Sequence, residues 1–371
     1  MNILIGASYQ SPYAGNFIAS LRELAMAAAA AGDRVCFAFP LRKAGERPWV
    51  SWLRESGFQV ELLDATLPED KLLAQVLDLN QRFGTELMYL HFGFLQGVVQ
   101  HRRAALGKVR ILFHDHMGFG LDSPVKIQRR RNLLRSGFYR LKKIGVISVM
   151  EDKHRSYALL GSRHWCVPNG IALRRYTASE LTRDAMRKQY GILQDARLCL
   201  LLAWNPEIKG VDIAVEAIRI ARETDPALEL GIVIQGSAPD EAFLRFIKSR
   251  TGIDTSQTEW LRFLPSTEDI FAYHRMADCF LSASRTESFS YGVLEAISQS
   301  LPVVMSDIPG VKWAREYSRS RLYPAEDPAA CAKALLAAPQ LRQAASNADL
   351  FLDRYSIQRW CGRVLEIIHS M

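Results

Sequence analysis

Two carboxylates eight residues apart, Glu287 and Glu295, lie in SRTESFSYGVLEAISQSLPVVMSD, residues 284–307. A small apolar strand over Cys279–Ser282 leads into a Ser-rich turn carrying Glu287. A helix is expected to start near Tyr291, with Glu295 in its first turns. A helix start offers unpaired backbone N–H groups and about half a positive charge, which suits a phosphate or diphosphate. A carboxylate on the loop and one on the helix can both face a ligand held there. The chemistry suggested is a grip on a molecule that carries both phosphates and hydroxyls. Acids near a helix start also complement the dipole without any ligand, so either glutamate alone supports both readings.

The elements that must position these acids alternate, strand then helix, from end to end, the pattern of parallel sheets in α/β layers. In the first half the strand patterns fall at Asn2–Ile5, Val35–Phe39, Gln59–Leu63, Leu87–Leu90, Val109–Phe113 and Ile144–Val149, with an Ala/Leu helix from Phe17. CVPNGIALRRY (166–176) reads as a boundary, since Pro168 and Asn169–Gly170 form turns. A polar helix, Ser179–Tyr190, follows it. A second series then runs from strand Leu198–Ala203 through helix Val211–Thr224, strands Leu228–Ile234 and Trp260–Phe263, helix Tyr291–Ser300 and strand Val303–Ser306. The fold class expected is α/β, with two Rossmann-like doubly wound domains facing across a cleft. Residues 1–168 with a C-terminal helix at 356–371 form one domain, and 169–355 the other. Ligand sites belong at the C-terminal strand ends. The loop GASYQSPYAGNF lacks the G-x-G-x-x-G spacing, which argues against a nicotinamide dehydrogenase.

At 371 residues the chain exceeds the usual size of a single core. Its 49% hydrophobic and 23% charged residues are those of an ordinary globular protein. The six cysteines are scattered singly, which is reduced, cytosolic usage and argues against a disulfide framework or zinc site. The start, MNILIGAS, has no basic n-region, and no apolar run is long enough to span a bilayer. The reading is a cytoplasmic protein, with peripheral attachment to the inner membrane face as an option. A net charge of +8 suits an anionic partner. No nucleic-acid-binding signature accompanies that charge, so nucleic acid is not an expected partner. Residues 126–143, KIQRRRNLLRSGFYRLKK, hold eight Lys/Arg and no acid. Ile127, Leu134, Phe138 and Leu141 share one helical face there. Such a helix either rests on anionic lipid or packs that face on the core with its cations solvated.

The ordered motifs resemble glycosyltransferase family four, the retaining GT-B enzymes (glycosyl transferases group 1), over nearly the whole chain. They are the E-x7-E pair, LEAISQSLPVVMSD against the family's LEAMAxGxPVVxxD, VPNGI (167–171), KGVDIAVEAI (209–218), ADCFLSAS (277–284) and LFHD (112–115). The resemblance implies transfer of a hexose-type sugar, with retention, from a UDP or GDP type donor to a glycan or lipid-linked acceptor in polysaccharide or cell-envelope synthesis. By the same resemblance Glu287 faces the donor sugar and Glu295 the ribose, while backbone N–H groups from Phe289 through Ser290 and Tyr291 to Gly292 meet sugar hydroxyls and phosphate. Lys209 neutralises the diphosphate, His114 lies beside the reacting sugar, and Gly15 with Asn16 sits near the donor phosphates. Main chain about Leu264 forms the base pocket. His91 and His116 are weaker candidates. No cofactor or catalytic metal is implied, and no H-x-x-H or acidic metal cluster occurs.

The chain departs from the family in three places. Trp204 stands where an Arg precedes the lysine by five residues, so a cation is missing unless Arg285 supplies it. Ser288 and Ser290 replace glycines of E-G-F-G. These departures keep two alternatives in view, a catalytically silent GT-B subunit that binds a glycosyltransferase or glycan, and a GT-B sugar-nucleotide epimerase.

Overall fold

The computed structural model describes residues 1–121, 124–158, 161–173 and 182–371. It divides into two compact units, Met1–Ala172 with Tyr355–Met371, and Leu173–Arg354. The stretch 174–181, at the expected boundary and the start of the expected helix at 179, lies outside the described residues. From Arg183 to Gln189 that helix is present.

Among the described residues the first unit holds a seven-stranded, wholly parallel sheet. Its strands are β1 (Asn2–Ala7), β2 (Arg34–Pro40), β3 (Gln59–Leu63), β4 (Leu87–His91), β5 (Arg110–Asp115), β6 (Ile144–Ser148) and β7 (His164–Cys166), in the order β3-β2-β1-β4-β5-β6-β7. The second unit's six parallel strands are β8 (Arg197–Ala203), β9 (Leu228–Ile234), β10 (Leu261–Leu264), β11 (Cys279–Ser282), β12 (Val303–Ser306) and β13 (Ser320–Tyr323), in the order β10-β9-β8-β11-β12-β13. Each sheet reverses direction of growth once, between β1 and β4 and between β8 and β11. That switch leaves a crevice beyond the carboxyl ends of the two middle strands.

The middle strands are apolar on both faces because helices cover both sides. Ile3, Ile5, Phe37 and Tyr89 pack with the helix Gly15–Ala30 and the C-terminal helix Ile357–Ser370. In the second unit Leu201, Leu230, Ile232 and Leu281 pack against Val211–Ala221 and Pro328–Leu336. The C-terminal helix belongs to the first unit: Trp360, Val364 and Ile368 join its core. No helix of the described residues is long and apolar enough to cross a membrane.

The helix Val125–Leu141 bears on the two readings of its apolar face. It buries Asn132, Ser136 and Tyr139, while Ile127, Leu134 and Leu141 are 42%, 76% and 82% exposed. The inward face joins Tyr139 and part of Phe138 to the core and bonds its neighbour through small polar side chains. Ser136 Oγ donates to the Tyr157 carbonyl at 2.5 Å, and Asn132 Nδ2 to Ser156 Oγ at 3.4 Å. Six of the twelve large exposed hydrophobic residues described, Met117, Leu121, Val125, Ile127, Leu134 and Leu141, fall between 117 and 141. An apolar patch thus stands among cations instead of inside the core.

Candidate active site

In the second unit the loops that follow β8 and β11 meet at the switch point. Gly210 makes the meeting possible. Its φ of +61° is left-handed, and a Cβ there would collide with the Ala283 carbonyl oxygen. A third loop, after β12, closes on the same place, because a Cβ on Gly310 would collide with the Glu287 carbonyl oxygen. Between them Lys209 Nζ lies 2.6 Å from Glu287 Oε1. Ser284 Oγ donates to that same oxygen at 2.8 Å. Lys209 and Glu287, 78 residues apart in sequence, are thus held as one charge-assisted pair in a partly buried crevice. Trp204 is 61% exposed, with Lys209 Nζ 5.9 Å from its ring centroid. The aromatic ring therefore borders the ammonium at the position where a second cation was expected.

The helix Tyr291–Ser298 begins beside this pair. Ser290 is its N-cap but forms no side-chain cap bond, and its carbonyl accepts from Leu294 N–H at 3.2 Å. The first-turn N–H groups from Tyr291 onward have no carbonyl within the helix to bond. Gly292 admits close packing, since a Cβ would sit 3.0 Å from Phe280. Glu295 is buried in the second turn. Phe289 is core rather than surface, its ring stacked on Trp313 at 4.5 Å. Leu264 ends β10 and is buried. The turn after it is fixed by Tyr273 Oη donating to the Pro265 carbonyl at 2.9 Å and by paired bonds between Gly236 and Ser266.

Arg285 does not fill the place of the missing cation. Its guanidinium grips the Asp212 carboxylate in a bidentate pair at 2.9 and 2.7 Å and donates to the Glu207 carbonyl at 2.7 Å. Both partners are largely buried, and this hydrogen bonding to Asp212 raises the Arg285 pKa. Its work is to tie the Lys209 loop and the first turn of Val211–Ala221 to the Glu287 loop.

In the first unit Gly15 opens its helix with φ +55°. Asn16 is buried, and its side chain accepts from Ala172 N–H at 3.0 Å and reaches the Gly170 carbonyl at 3.5 Å. This side chain pins the VPNGI turn. His114, at the end of β5, is fully buried with Nδ1 2.5 Å from Tyr89 Oη. His91 pairs with it in register on β4, and His91 Nδ1 lies 2.9 Å from His116 Nε2. Burial and the neighbouring imidazoles hold His91 and His114 far below the ordinary histidine range, and burial takes His116 to about 4. All three are therefore neutral at neutral pH. The sequence offered His114, His91 and His116 as separate candidates, and the pairing of β4 with β5 brings the three together.

A cavity of about 430 Å³ lies at the carboxyl ends of β1–β4, lined among others by Ser8, Arg42, Lys43, Glu69 and Gln96. The loop beside it holds Phe92 and Leu95 at φ +51° and +55°. Left-handed geometry at bulky residues is stored strain, and such strain gathers at ligand sites.

With this geometry in hand, the two parallel-sheet units define the fold as that of GT-B glycosyltransferases. The crystal structure of HepE from Anabaena in complex with UDP and glucose superposes with a TM-score of 0.77 over 100% of both chains, at 16% identity. Residues 197–339, which contain Lys209, Glu287 and Glu295, match the family model described as glycosyl transferases group 1. The chain is similar to the D-inositol 3-phosphate glycosyltransferase of Geodermatophilus obscurus, 30% identical over 192 residues, 49% of this chain and 42% of that one. It is also similar to the alpha-monoglucosyldiacylglycerol synthase of Acholeplasma laidlawii, 29% identical over 143 residues, 38% of this chain and 35% of that one. The matched stretches span less than half the length of either relative.

Proposed function

We propose that the protein is a retaining glycosyltransferase that moves a hexose-type sugar from a UDP or GDP sugar to a glycan or lipid-linked acceptor. The observation that carries this reading is the Lys209–Glu287 pair, presented at the switch point of the second sheet beside a helix start. A diphosphate arriving there takes over the Lys209 ammonium and the first-turn N–H groups of Tyr291–Ser298. Glu287, released from Lys209, accepts from sugar hydroxyls, and Glu295 from the ribose. Main chain about Leu264 receives the base.

In the transfer the bond from the anomeric carbon to the phosphate oxygen breaks, and the acceptor oxygen bonds to the same face. The leaving phosphate takes the acceptor proton. Lys209 opposes the charge growing on the departing diphosphate, so the protein contributes position and electrostatics and needs no covalent intermediate. His114 of the first unit is offered to the reacting sugar, and the 430 Å³ cavity of that unit to the acceptor. The exposed Leu134 and Leu141 among the cations of Val125–Leu141 favour an acceptor presented at an anionic lipid surface. The match to glycosyl transferases group 1 and the UDP and glucose bound by HepE support a nucleotide-sugar donor, and the Acholeplasma monoglucosyldiacylglycerol synthase supports a lipid-linked acceptor.

One observation favours a silent GT-B partner subunit: Arg285 is neutralised by Asp212, and Lys209 faces Trp204 instead of a second cation. A thermal-shift screen of UDP, GDP and ADP sugars, followed by measurement of nucleoside diphosphate release from any that bind, separates the readings. Binding with release supports the transferase. Binding without release, across the acceptors tried, supports the silent subunit. No stabilisation by any of them would sink the donor site.

A further inference from the structure

We infer that His91, His114 and His116 form a site in the first unit for a divalent transition-metal ion of the zinc type. Each histidine brings one ring nitrogen to within 4.8 Å of the others. Two come from paired positions on neighbouring strands, and the third lies two residues beyond His114. The Nε2 atoms of His91 and His114 are both buried and have no hydrogen-bond partner. Buried ring nitrogens are nearly always satisfied in folded proteins, so two bare ones in one cluster point to something that binds them.

The surroundings match what a metal-binding imidazole needs. A ligating histidine ordinarily has its other ring nitrogen fixed by a second group. For His114 that group is Tyr89, at 2.5 Å from Nδ1. With the Nδ1 proton donated to the Tyr89 oxygen, Nε2 keeps its lone pair. His114 and His116 also line a cavity of about 130 Å³, room for an ion and an exchangeable water. Asp115 lines the same cavity with its carboxylate 2.9 Å from Lys153 Nζ, so its charge is already matched. Three neutral imidazoles without a thiolate suit zinc, copper or nickel better than magnesium or calcium.

The three ligand nitrogens lie up to 4.8 Å apart. Zinc at about 2.0–2.1 Å from each nitrogen puts tetrahedral ligands roughly 3.3 Å apart. Binding therefore draws the rings together by up to about 1.5 Å and opens the His91–His116 hydrogen bond. Three protein ligands leave a fourth position for water, so the ion exchanges with solvent. Because His114 is also the group offered to the reacting sugar, an occupied site slows transfer.

The test uses the full chain dialysed against chelator and titrated with Co²⁺, then Zn²⁺. The expected result is one equivalent of Co²⁺ with the intense visible absorption of a tetrahedral site, displaced by Zn²⁺. His116→Ala, at a ring only partly buried, abolishes the absorption while circular dichroism and melting temperature hold. Tyr89→Phe weakens binding by about 10- to 100-fold. His101→Ala, at an exposed histidine paired with Glu69, changes nothing. Failure of the wild type to bind one equivalent, or an absorption that survives His116→Ala, overturns the inference. These readouts need no donor or acceptor, so they stand apart from the glycosyltransferase reading.

Discussion

Replacing Lys209 by Met keeps the length and apolar stem of the side chain and removes only its charge. Two consequences can be separated. In the free protein Glu287 loses a partner at 2.6 Å, though Ser284 Oγ remains at 2.8 Å. Both members of the pair are only 12–15% exposed. Their gross attraction is about 6 kcal/mol at an effective dielectric of 20, but desolvation cancels most of it. A charge-assisted bond of this kind contributes about 1.5–3 kcal/mol net. In a unit of roughly 180 residues, Leu173–Arg354, about 2 kcal/mol lowers the melting temperature by about 4–8 °C.

The second consequence concerns UDP, the nucleotide of one of the proposed donors. If Lys209 gives the diphosphate the same 1.5–3 kcal/mol, its loss weakens UDP binding about 10- to 150-fold. At a concentration 100 times the wild-type Kd, UDP stabilises the wild type by about 2.7 kcal/mol. The same concentration stabilises Lys209→Met by only about 0.3–1.4 kcal/mol. Glu287→Gln should do the reverse. It frees Lys209, so UDP stabilises that variant at least as well as the wild type, while turnover of a UDP sugar falls about 100-fold or more. Differential scanning fluorimetry with and without UDP reads both effects. An undiminished UDP shift in Lys209→Met would refute the diphosphate role and leave the pair a purely structural contact.

Arg285→Met strips the bidentate partner from a largely buried Asp212. It should lower the melting temperature by the equivalent of about 2–3 kcal/mol while leaving the UDP shift per bound ligand intact; loss of the shift at unchanged stability would return Arg285 to the phosphate site. His274 is buried with both ring nitrogens bare, and burial takes its pKa from 6.5 to about 3. The unfolded chain then binds the extra proton first, so stability falls as pH drops through 6.5 and towards 3. In His274→Leu the loss between pH 7 and 4.5 should be smaller by about 2–3 kcal/mol in urea melts at the two pH values, and an unchanged loss would exclude His274 as a source of acid sensitivity. Leu134→Glu with Leu141→Glu should leave the melting temperature within about 1 °C but reduce sedimentation with phosphatidylglycerol vesicles several-fold; equal sedimentation would mean that this patch does not meet lipid.

What the sequence made legible follows from the range over which its signals act. Strand and helix identities are local, and Gln59–Leu63, Leu228–Ile234, Cys279–Ser282 and Val303–Ser306 appear with the bounds their apolar runs suggest. The helix start near Glu287 is local too. Pairings across the sheet are not. Nothing near Arg285 in sequence announces that Asp212, 73 residues earlier, will take its charge. The search for a replacement cation therefore reached the right loop and the wrong partner. The buried face of the helix at Val125–Leu141 was left open for a related reason. A helical wheel sorts residues into faces but cannot say which face meets the neighbouring helix. Here that neighbour offers the Tyr157 carbonyl and Ser156 hydroxyl, so Ser136 and Asn132 turn inward and the leucines turn out. Both findings bear on function in opposite directions. With Arg285 bonded to Asp212, Lys209 is the cation that pairs with Glu287, and the proposed diphosphate grip rests on that ammonium. The exposed leucines keep part of the apolar face seen in the sequence at the surface. If the first loss weakens the hold on a soluble donor, the second can raise the working concentration of a membrane-held acceptor, and turnover measured without vesicles would then understate the enzyme.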